Sequence, residues 1–319
     1  MKKVANTQPL VSVIMPVYNA AEYLELAIGS ILKQTYKNWE LIIIDDASTD
    51  RSWEIIQKCK LKAKGKLIAY RLDKNRNAGG DTAANIAYTY ASGDYIARMD
   101  ADDISLPHRL ATQVAFLERY RYITIVGSSA VVIDQHGAKM GYKVMPEKQP
   151  DISREYFRFH PMINPTVMIN RALFPSQSEL YEMKNSSNND YYSFFKLLCL
   201  GHQFANIPEP LLKYRIHSHN DSLAHVKRSF RNTLATRMEM VKKYHYVPSF
   251  YGWVTTFVQA ILIFLLPEKV LFSMYLHLRG IKHIAVPSWI ISGKNRLAQS
   301  FANLMPQRDE ASVVTVSEQ

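Results

Sequence analysis

Short apolar segments alternate with amphipathic segments through the first hundred residues of the chain. The apolar segments have the length and composition of β-strands and occupy residues 10–17, 39–44, 66–72 and 95–99. The segments between them repeat apolar residues at helical spacing, as in Leu24, Ala27, Ile28 and Ile31. Strands that alternate with helices of about 10–15 residues indicate βαβ units, which form a parallel sheet with right-handed crossovers. The pattern therefore predicts an α/β fold.

Polar residues directly follow three of these predicted strands. They are Tyr18-Asn19, Asp45-Asp46 and the segment Asp100–Asp103. In open α/β sheets, ligands bind beyond the carboxyl ends of the strands, so we expect these residues to line one crevice. Capping of a helix N-terminus explains part of the polar segment 45–50, but it does not require Asp45 and Asp46 before the turn. The repetition favours a shared site over three unrelated turns.

The segment Asp100–Asp103 places three carboxylates at the end of a strand that is otherwise mostly apolar. Carboxylates that project from a fixed strand end can hold a hard divalent cation, which prefers oxygen ligands. An isolated Asp-x-Asp is a weak signal, because Asp in a solvated turn also bonds its own backbone. The choice between a metal site and a turn depends on whether other residues converge on the same crevice.

The second half of the chain continues the pattern with longer loops. The predicted elements are a helix at 107–120, strands at 123–133, 139–144 and 204–208, and a basic loop at 214–217. A further loop begins at His160 and runs into a strand; His160 has no evident partner, which favours a structural role. Asp190 precedes an apolar helical pattern, so it lies at a helix N-terminus, where the helix dipole favours an acidic cap.

Six short motifs together resemble the family 2 glycosyltransferases, whose catalytic domain has the GT-A fold. They are Val11–Asn19, Asp45–Asp50, Asn77-x-Gly79, Met99–Asp103, Asn189-Asp190 and Tyr214-Arg215-x-His217. Each motif alone is weak, but their order and spacing are specific, and the resemblance covers residues 9–219. It implies a mostly parallel sheet flanked by helices, with a Rossmann-like nucleotide-binding half and a C-terminal helical extension.

The resemblance implies that a nucleotide-activated sugar binds at the ends of the strands. In related enzymes the turn after strand one and an Asp after strand two contact the base and ribose, and these positions are here Val17, Asn19 and Asp46. The complete set of expected donor-binding residues is Val17, Asn19, Asp46, Asn77, Asp100, Ala101 and Arg215. Arg215 is suited to bind two phosphate oxygens through its guanidinium group.

The same resemblance implies a metal-dependent reaction that inverts the anomeric carbon. Asp102 is the expected main ligand of Mn²⁺ or Mg²⁺, and Asp100 is a further ligand or a ribose contact. His217 resembles a residue that reaches the metal or diphosphate from a loop, although a single His more often has a structural role. Asp190 is the expected catalytic base, since a helix N-terminus keeps a carboxylate ionised.

Two departures from the family pattern bear on function. Asn189 occupies a position that is often Glu in the family, so only Asp190 is carried over as an acid. The Gln-x-x-Arg-Trp motif of processive polysaccharide synthases is absent from the sequence, which favours the addition of a single sugar. By analogy with the family we expect a UDP-sugar donor, and a glycan or lipid-linked acceptor in cell-surface polysaccharide synthesis.

The net charge and the cysteine content of the chain bear on its partners and on its location in the cell. The 319-residue chain has a net charge of +11, and residues 201–300 contain thirteen Lys/Arg against four Asp/Glu. Such a balance suits nucleic acid, anionic lipid or a phosphorylated substrate. No nucleic-acid-binding motif accompanies it, so we expect no nucleic-acid partner. The two cysteines fit neither a metal site nor a disulfide framework, which favours the cytoplasm.

The C-terminal hundred residues differ in pattern from the rest. A segment without charge at 246–267 follows a basic run made of Lys227, Arg228, Arg231, Arg237, Lys242 and Lys243. We expect helices that lie on the anionic inner face of the cell membrane; a helix packed on the catalytic domain and a membrane span are the alternatives. The expected division is a catalytic domain at 1–222, a membrane-associating helical region at 223–305 and a disordered tail at 306–319.

Two other functions are compatible with the sequence. A nucleotidyltransferase also uses an α/β sheet with an Asp–metal pair, but it is expected to carry a Gly-rich basic loop after the first strand, and residues 17–20 lack one. A sugar-nucleotide-binding protein without turnover is favoured only by the missing Glu before Asp190. Release of a nucleoside diphosphate, of pyrophosphate or of neither product would distinguish the three.

Overall fold

The computed structural model describes residues 8–76, 79–175, 179–185, 188–217, 226–266 and 281–282. The strands are β1 (Val11–Val17), β2 (Trp39–Asp45), β3 (Leu67–Arg71), β4 (Tyr95–Arg98), β5 (Ile104–Ser105), β6 (Ile125–Ile133), β7 (Lys139–Lys143), β8 (Met168–Asn170), β9 (Phe204–Arg215) and β10 (Ile281–Lys282). The helices are α1 (Leu24–Leu32), α2 (Ser52–Lys62), α3 (Asp81–Thr89), α4 (Arg109–Arg119), α5 (Gln149–Glu155), α6 (Asn189–Cys199), α7 (Val226–Tyr244) and α8 (Phe250–Leu265).

These strands form one mixed sheet whose first half is parallel. In that half β3, β2, β1 and β4 are neighbours in this order, and each pair is parallel. From β4 the sheet continues through β8, β6, β7 and β10 with antiparallel pairs, while β9 lies parallel to β6. The register pairs Val17 with Asp45 and Ile14 with Arg98, so the carboxyl ends of β1, β2 and β4 meet at one edge. The predicted α/β fold with a Rossmann-like half is confirmed.

Both faces of the parallel half are covered by helices. Val13 and Met15 of β1 pack in a cluster with residues of α1, α2 and α4, whereas Ile14 packs in a second cluster with residues of α3, α5, α6 and α7. Successive side chains of a strand point to opposite faces, so an unbroken apolar run fills both layers. Each fully buried Val or Ile contributes about 1.5–3 kcal/mol relative to an exposed one. The strand ends, and the acidic residues on them, are therefore held in a fixed register.

Several elements differ from the sequence expectation. Helix α5 and the two-residue strand β5 were not predicted. Strand β9 runs without a break through Pro208 and Pro210, because its pairing with β6 shifts register near Ser129, where prolines that cannot donate a hydrogen bond are tolerated. Ile281 and Lys282 lie where we expected helix, but their backbone pairs with β7 and covers an edge that would otherwise be open. The remainder of 267–305 and the tail at 306–319 lie outside the described residues.

Helices α7 and α8 pack on the catalytic core. Met240 of α7 is fully buried in the layer that contains α3 and α6. Arg237 is also buried, and its guanidinium donates hydrogen bonds to the Arg158 carbonyl oxygen, to Thr256 Oγ1 (3.1 Å) and to Gln259 Oε1 (3.0 Å). Arg237 therefore belongs to the interior, and its assignment to a basic surface was wrong. Among the described helices, none has the length and hydrophobicity that a bilayer crossing requires.

Candidate active site

The three carboxylates that follow β4 converge on one point. Asp100, Asp102 and Asp103 each offer an oxygen that lies within 4.8 Å of the oxygens of the other two. Asp103 is buried, and its Oδ1 accepts a 2.8 Å hydrogen bond from the backbone N–H of Arg215. Asp100 and Asp102 are partly exposed. Two carboxylates are thus accessible to solvent, while the third joins the motif to β9.

Burial, followed by the repulsion between neighbouring carboxylates, raises the pKa values within this cluster. Burial raises the pKa of Asp103 well above its usual value, and the charges of Asp102 and Asp100 add to the effect. Burial also raises the pKa of Asp100, although the buried guanidinium of Arg98, 2.8 Å from Asp100 Oδ1, opposes it. Sequence reasoning missed Arg98; an Arg inside an otherwise apolar strand was the available signal. A cluster with this excess of negative charge favours a bound cation.

His217 contacts the same cluster from the end of β9. Its Nε2 lies 2.9 Å from Asp102 Oδ2, and its ring packs against Tyr23 at a centroid distance of 5.1 Å. The contact joins residues that are 115 positions apart in the sequence. His217 is therefore adjacent to the expected metal ligand, and its role as a ligand stays a prediction.

Arg215 is committed to the protein backbone in this structure. Its Nε donates to the Asp102 carbonyl oxygen at 2.8 Å, and its Nη1 donates to the carbonyl oxygens of Asp134 and Gln135, each at 3.1 Å. The guanidinium also lies 4.5 Å from the centroid of the Tyr23 ring. These contacts make Arg215 a brace between the acidic motif and the turn after β6, and binding of phosphate by Arg215 stays a prediction.

The turns after β1 and β2 are bound to each other. Asn19 adopts a positive φ of 47°, its N–H donates to Ser48 Oγ at 3.0 Å, and its Oδ1 accepts from the Thr49 N–H at 2.8 Å. Asp46 is buried beside them, and its carboxylate accepts the Arg76 N–H at 3.0 Å. Burial raises the pKa of Asp46, and the hydrogen bond from Arg76 opposes this rise.

The remaining predicted donor residues lie around this edge of the sheet. Val17 and Ala101 are both buried, and the Val17 carbonyl oxygen accepts the Asp46 N–H at 2.8 Å. Asn77 lies outside the described residues. The residues expected to hold the base and ribose are therefore adjacent to one another through β1 and β2, and their contact with a nucleotide stays a prediction.

Asp190 lies in the first turn of α6, as predicted. Its Oδ1 accepts the N–H of Tyr191 at 2.7 Å, and its Oδ2 lies 3.5 Å from Nε2 of His160. The charge of Asp190 also contributes to the raised pKa of Asp100, after burial and the charge of Asp102. Asp190 therefore lies near enough to the segment Asp100–Asp103 for its charge to act on Asp100.

The surroundings of His160 could not be predicted from the sequence. Its ring lies among Tyr156, Tyr191 and Phe194, and both ring nitrogens are buried without a hydrogen-bond partner within the described part of the chain. The imidazole therefore faces Asp190 from an aromatic wall. No sequence motif predicts this contact, because it joins a loop to the start of α6 and forms only in the folded chain.

The chain matches a known protein family and several named proteins. The family described as Glycosyl transferase family 2 matches residues 12–176, which is more than half of the chain. The chain belongs to glycosyl transferase family 2. A relative named as glycosyltransferase EpsE, from Bacillus subtilis, is 35% identical over 70% of this chain and 78% of its own length. A second, named uncharacterized glycosyltransferase MJ1057, from Methanocaldococcus jannaschii, is 32% identical over 77% of this chain and 84% of its own.

Two solved structures resemble this glycosyltransferase in fold. S. aureus TarS in complex with UDP-GlcNAc superposes with a TM-score of 0.58 at 17% identity, over 83% of this chain and 84% of that one. The mannosyltransferase PcManGT from Pyrobaculum calidifontis, in complex with GDP-Man and Mn²⁺, gives a TM-score of 0.54 at 16% identity, over 86% of each chain. At these identities the likeness establishes the GT-A-type fold alone.

Proposed function

We propose that this glycosyltransferase moves one sugar from a nucleotide diphosphate to an acceptor hydroxyl, with inversion at the anomeric carbon and with a divalent metal ion. The observation that carries the proposal is the convergence of Asp100, Asp102 and Asp103 after β4, close enough to Asp190 for its charge to act on Asp100. A metal-binding pair and a separate carboxylate base are the groups that a single displacement on a sugar diphosphate requires.

Asp100 and Asp102 are suited to hold the metal ion. Carboxylate oxygens are the donors that Mn²⁺ and Mg²⁺ prefer, and Asp103 places a further buried oxygen, Oδ2, that has no hydrogen-bond partner among the described residues. The metal ion would neutralise charge that builds on the departing diphosphate. The presence of Mn²⁺ in the PcManGT complex supports this assignment.

Asp190 is suited to act as the base. As the acceptor oxygen forms its bond to the anomeric carbon, the bond from that carbon to the diphosphate oxygen breaks, and the hydroxyl proton passes to the Asp190 carboxylate. One displacement inverts the configuration. The N-terminus of α6 stabilises the ionised carboxylate before the proton arrives.

The donor is proposed to be a UDP-sugar and the acceptor a glycan or lipid-linked hydroxyl. TarS is recorded with UDP-GlcNAc. An Escherichia coli relative, 34% identical over 44% of this chain and 52% of its own, is named UDP-Glc:alpha-D-GlcNAc-diphosphoundecaprenol beta-1,3-glucosyltransferase WfgD. PcManGT is recorded with GDP-Man, so GDP-mannose is the second donor to test.

A peripheral position on an anionic membrane is part of the proposal. Phe250, Phe257 and Leu265 of α8 are exposed by 85%, 68% and 69%. They recur at intervals of seven and eight residues and therefore lie on one side of the helix. Exposed Lys242 and Lys243 at the end of α7 precede this helix. An apolar stripe next to basic residues suits the interface of a membrane with anionic lipid.

The deciding experiment follows release of nucleoside diphosphate from a panel of UDP-sugars and GDP-mannose, with Mn²⁺ and with EDTA. We expect release that EDTA abolishes, and a loss of about 10²–10⁴-fold in D102A and D190A, because one loses its metal ligand and the other its base. E40A, which removes a carboxylate from the other end of β2, is the matched control and should turn over normally. Normal turnover by D190A, or release of pyrophosphate, would contradict the proposal.

A further inference from the structure

A second buried carboxyl lies beside the proposed base and has no role in the reaction above. Asp81 is the first residue of α3 and is 5% exposed. It follows Gly80, whose positive φ of 85° is a conformation that L side chains rarely adopt. A Cβ at Gly80 would lie 3.4 Å from the ring of Pro16. The backbone conformation at Gly80 therefore allows the start of α3 to pack closely against β1.

Asn189 connects Asp81 to the helix that carries Asp190. Asp81 Oδ2 accepts hydrogen bonds from Asn189 Nδ2 at 3.0 Å and from the Asn189 N–H at 3.3 Å. The Asn189 Oδ1 accepts from the N–H groups of Lys184 and Asn185, at 3.0 and 2.8 Å. Asn188, the N-cap residue of α6, makes no capping hydrogen bond with its side chain. A carboxyl group from α3 therefore supplies the acceptor that a helix N-terminus needs.

The burial of Asp81 is unfavourable for folding. Burial raises its pKa to about 8, and the charge of Asp190 acts in the same direction, while the Asn189 hydrogen bonds and the charge of Arg98 oppose the rise. An apolar side chain at this position would avoid the desolvation of a carboxyl group. A buried acid with a raised pKa next to a proposed catalytic carboxylate is a candidate for a functional role.

We propose that Asp81 is the positioning residue of the base: it supplies, from α3, the second carboxyl that family members often carry as Glu at position 189, and it holds Asp190 through Asn189. The inference rests on the proposed role of Asp190. In this chain Asn189 donates its hydrogen bonds to a carboxyl group on α3 instead of providing that group from α6.

The test is a set of variants assayed for kcat and donor KM. D81A removes the acceptor for Asn189, so kcat should fall about 10–100-fold, as expected for a displaced catalytic group, with an unchanged donor KM. D81N keeps an acceptor oxygen and should retain most of the turnover. D81A/N189E returns a carboxylate from the α6 side and should recover most of the loss. N189E alone sets two acids against each other and should be less active than the double variant.

E40A is again the matched control, because Glu40 is a half-buried carboxylate that accepts hydrogen bonds from Ser12 Oγ and the Ser92 N–H. It should lower thermal stability without changing kcat. Full activity in D81A, or a double variant no better than D81A, overturns the inference while D190A remains inactive. If D81A does not fold, higher turnover in D81A/N189E than in N189E supports the inference and equal turnover overturns it. An active D190A removes the proposed function itself.

Discussion

Arg98 and Asp103 illustrate how single buried charges hold the acidic cluster together. Arg98 occupies the last position of β4 and places its guanidinium 2.8 Å from Asp100 Oδ1. Asp103 accepts the Arg215 N–H and thereby ties the motif to β9. Loss of one partner of a buried pair leaves an uncompensated charge, which destabilises by more than the pair itself contributes. The stability of each charged side chain in the cluster therefore depends on the presence of its partners.

The raised pKa of Asp81 predicts a pH dependence of stability. Because the folded-state pKa of about 8 exceeds the usual 3.8, Asp81 contributes stability below pH 4 that is lost progressively as the pH rises toward 8. Without metal ion, the unfolding free energy of the wild type should therefore fall relative to D81N by a few kcal/mol, to order of magnitude, between pH 4 and 8. Urea unfolding of both proteins at several pH values measures this difference. A constant difference would show that Asp81 ionises normally.

The contact between His160 and Asp190 predicts a kinetic effect. Since Nε2 lies 3.5 Å from Asp190 Oδ2, the imidazole limits the orientations open to the carboxylate that we propose as the base. H160A should lower kcat about tenfold, within the range for a lost orienting contact, and should leave donor KM unchanged. Nucleoside-diphosphate release measures both constants. H202A is the control, because His202 contacts Thr124 and not Asp190; an H160A enzyme as active as H202A would contradict the prediction.

The elements that the sequence predicted well are those whose pattern is local. Strands β1, β2 and β4 are apolar runs buried on both faces, and α1 has an amphipathic repeat, so period and composition suffice. Helix α5 escaped because Ile152 is its only buried residue and its other residues are mostly polar. Strand β9 contains two prolines, which argue locally for a break and are tolerated only because of its partner β6. Pairing with a distant strand overrides local preference there.

The residues of the candidate site also divide into those that a local pattern predicts and those that it does not. Asp100, Asp102 and Asp190 could be named from motifs, because each lies at the end of an element that the pattern predicts. His160 and Asp81 could not, since their partners on α6 are 30 and 108 residues away and the contacts arise only from packing. Motifs therefore named the groups that we propose to react, and the structure identified the groups around them.

The hydrogen bonds of Arg237 predict that the packing of α7 against α8 depends on this side chain. The guanidinium joins α7 to the Arg158 carbonyl oxygen and to Thr256 and Gln259 of α8. R237A removes these hydrogen bonds and leaves buried acceptors unpaired, so stability should fall by about 3 kcal/mol. Thermal unfolding measures the loss. K242A, at an exposed position of the same helix, should change stability by less than about 0.5 kcal/mol; equal effects of the two variants would contradict the interior role of Arg237.

Over the whole molecule, charge and apolar surface are concentrated toward the C-terminal end of the described chain. The interior position of Arg237 removes one cation from the surface, yet Arg231, Lys242 and Lys243 are exposed. Helix α8 turns its small residues inward, where Gly252 and Thr256 meet the segment around Phe157, and its larger apolar residues outward. This orientation is the reverse of a surface helix that faces water alone, and it is the physical basis for the proposed membrane contact.

The exposed stripe of α8 predicts binding to anionic vesicles. Wild-type protein should sediment with vesicles that contain anionic phospholipid, less with neutral ones, and less at high salt, because the exposed cations act through a screened field. F250S/F257S/L265S should weaken binding at least about tenfold by removing the apolar residues that would enter the interface, with unchanged turnover of a soluble acceptor. L61S is the matched control, since Leu61 is 86% exposed on α2, away from this helix. Equal sedimentation of the triple variant and L61S would contradict the proposed contact of α8 with lipid.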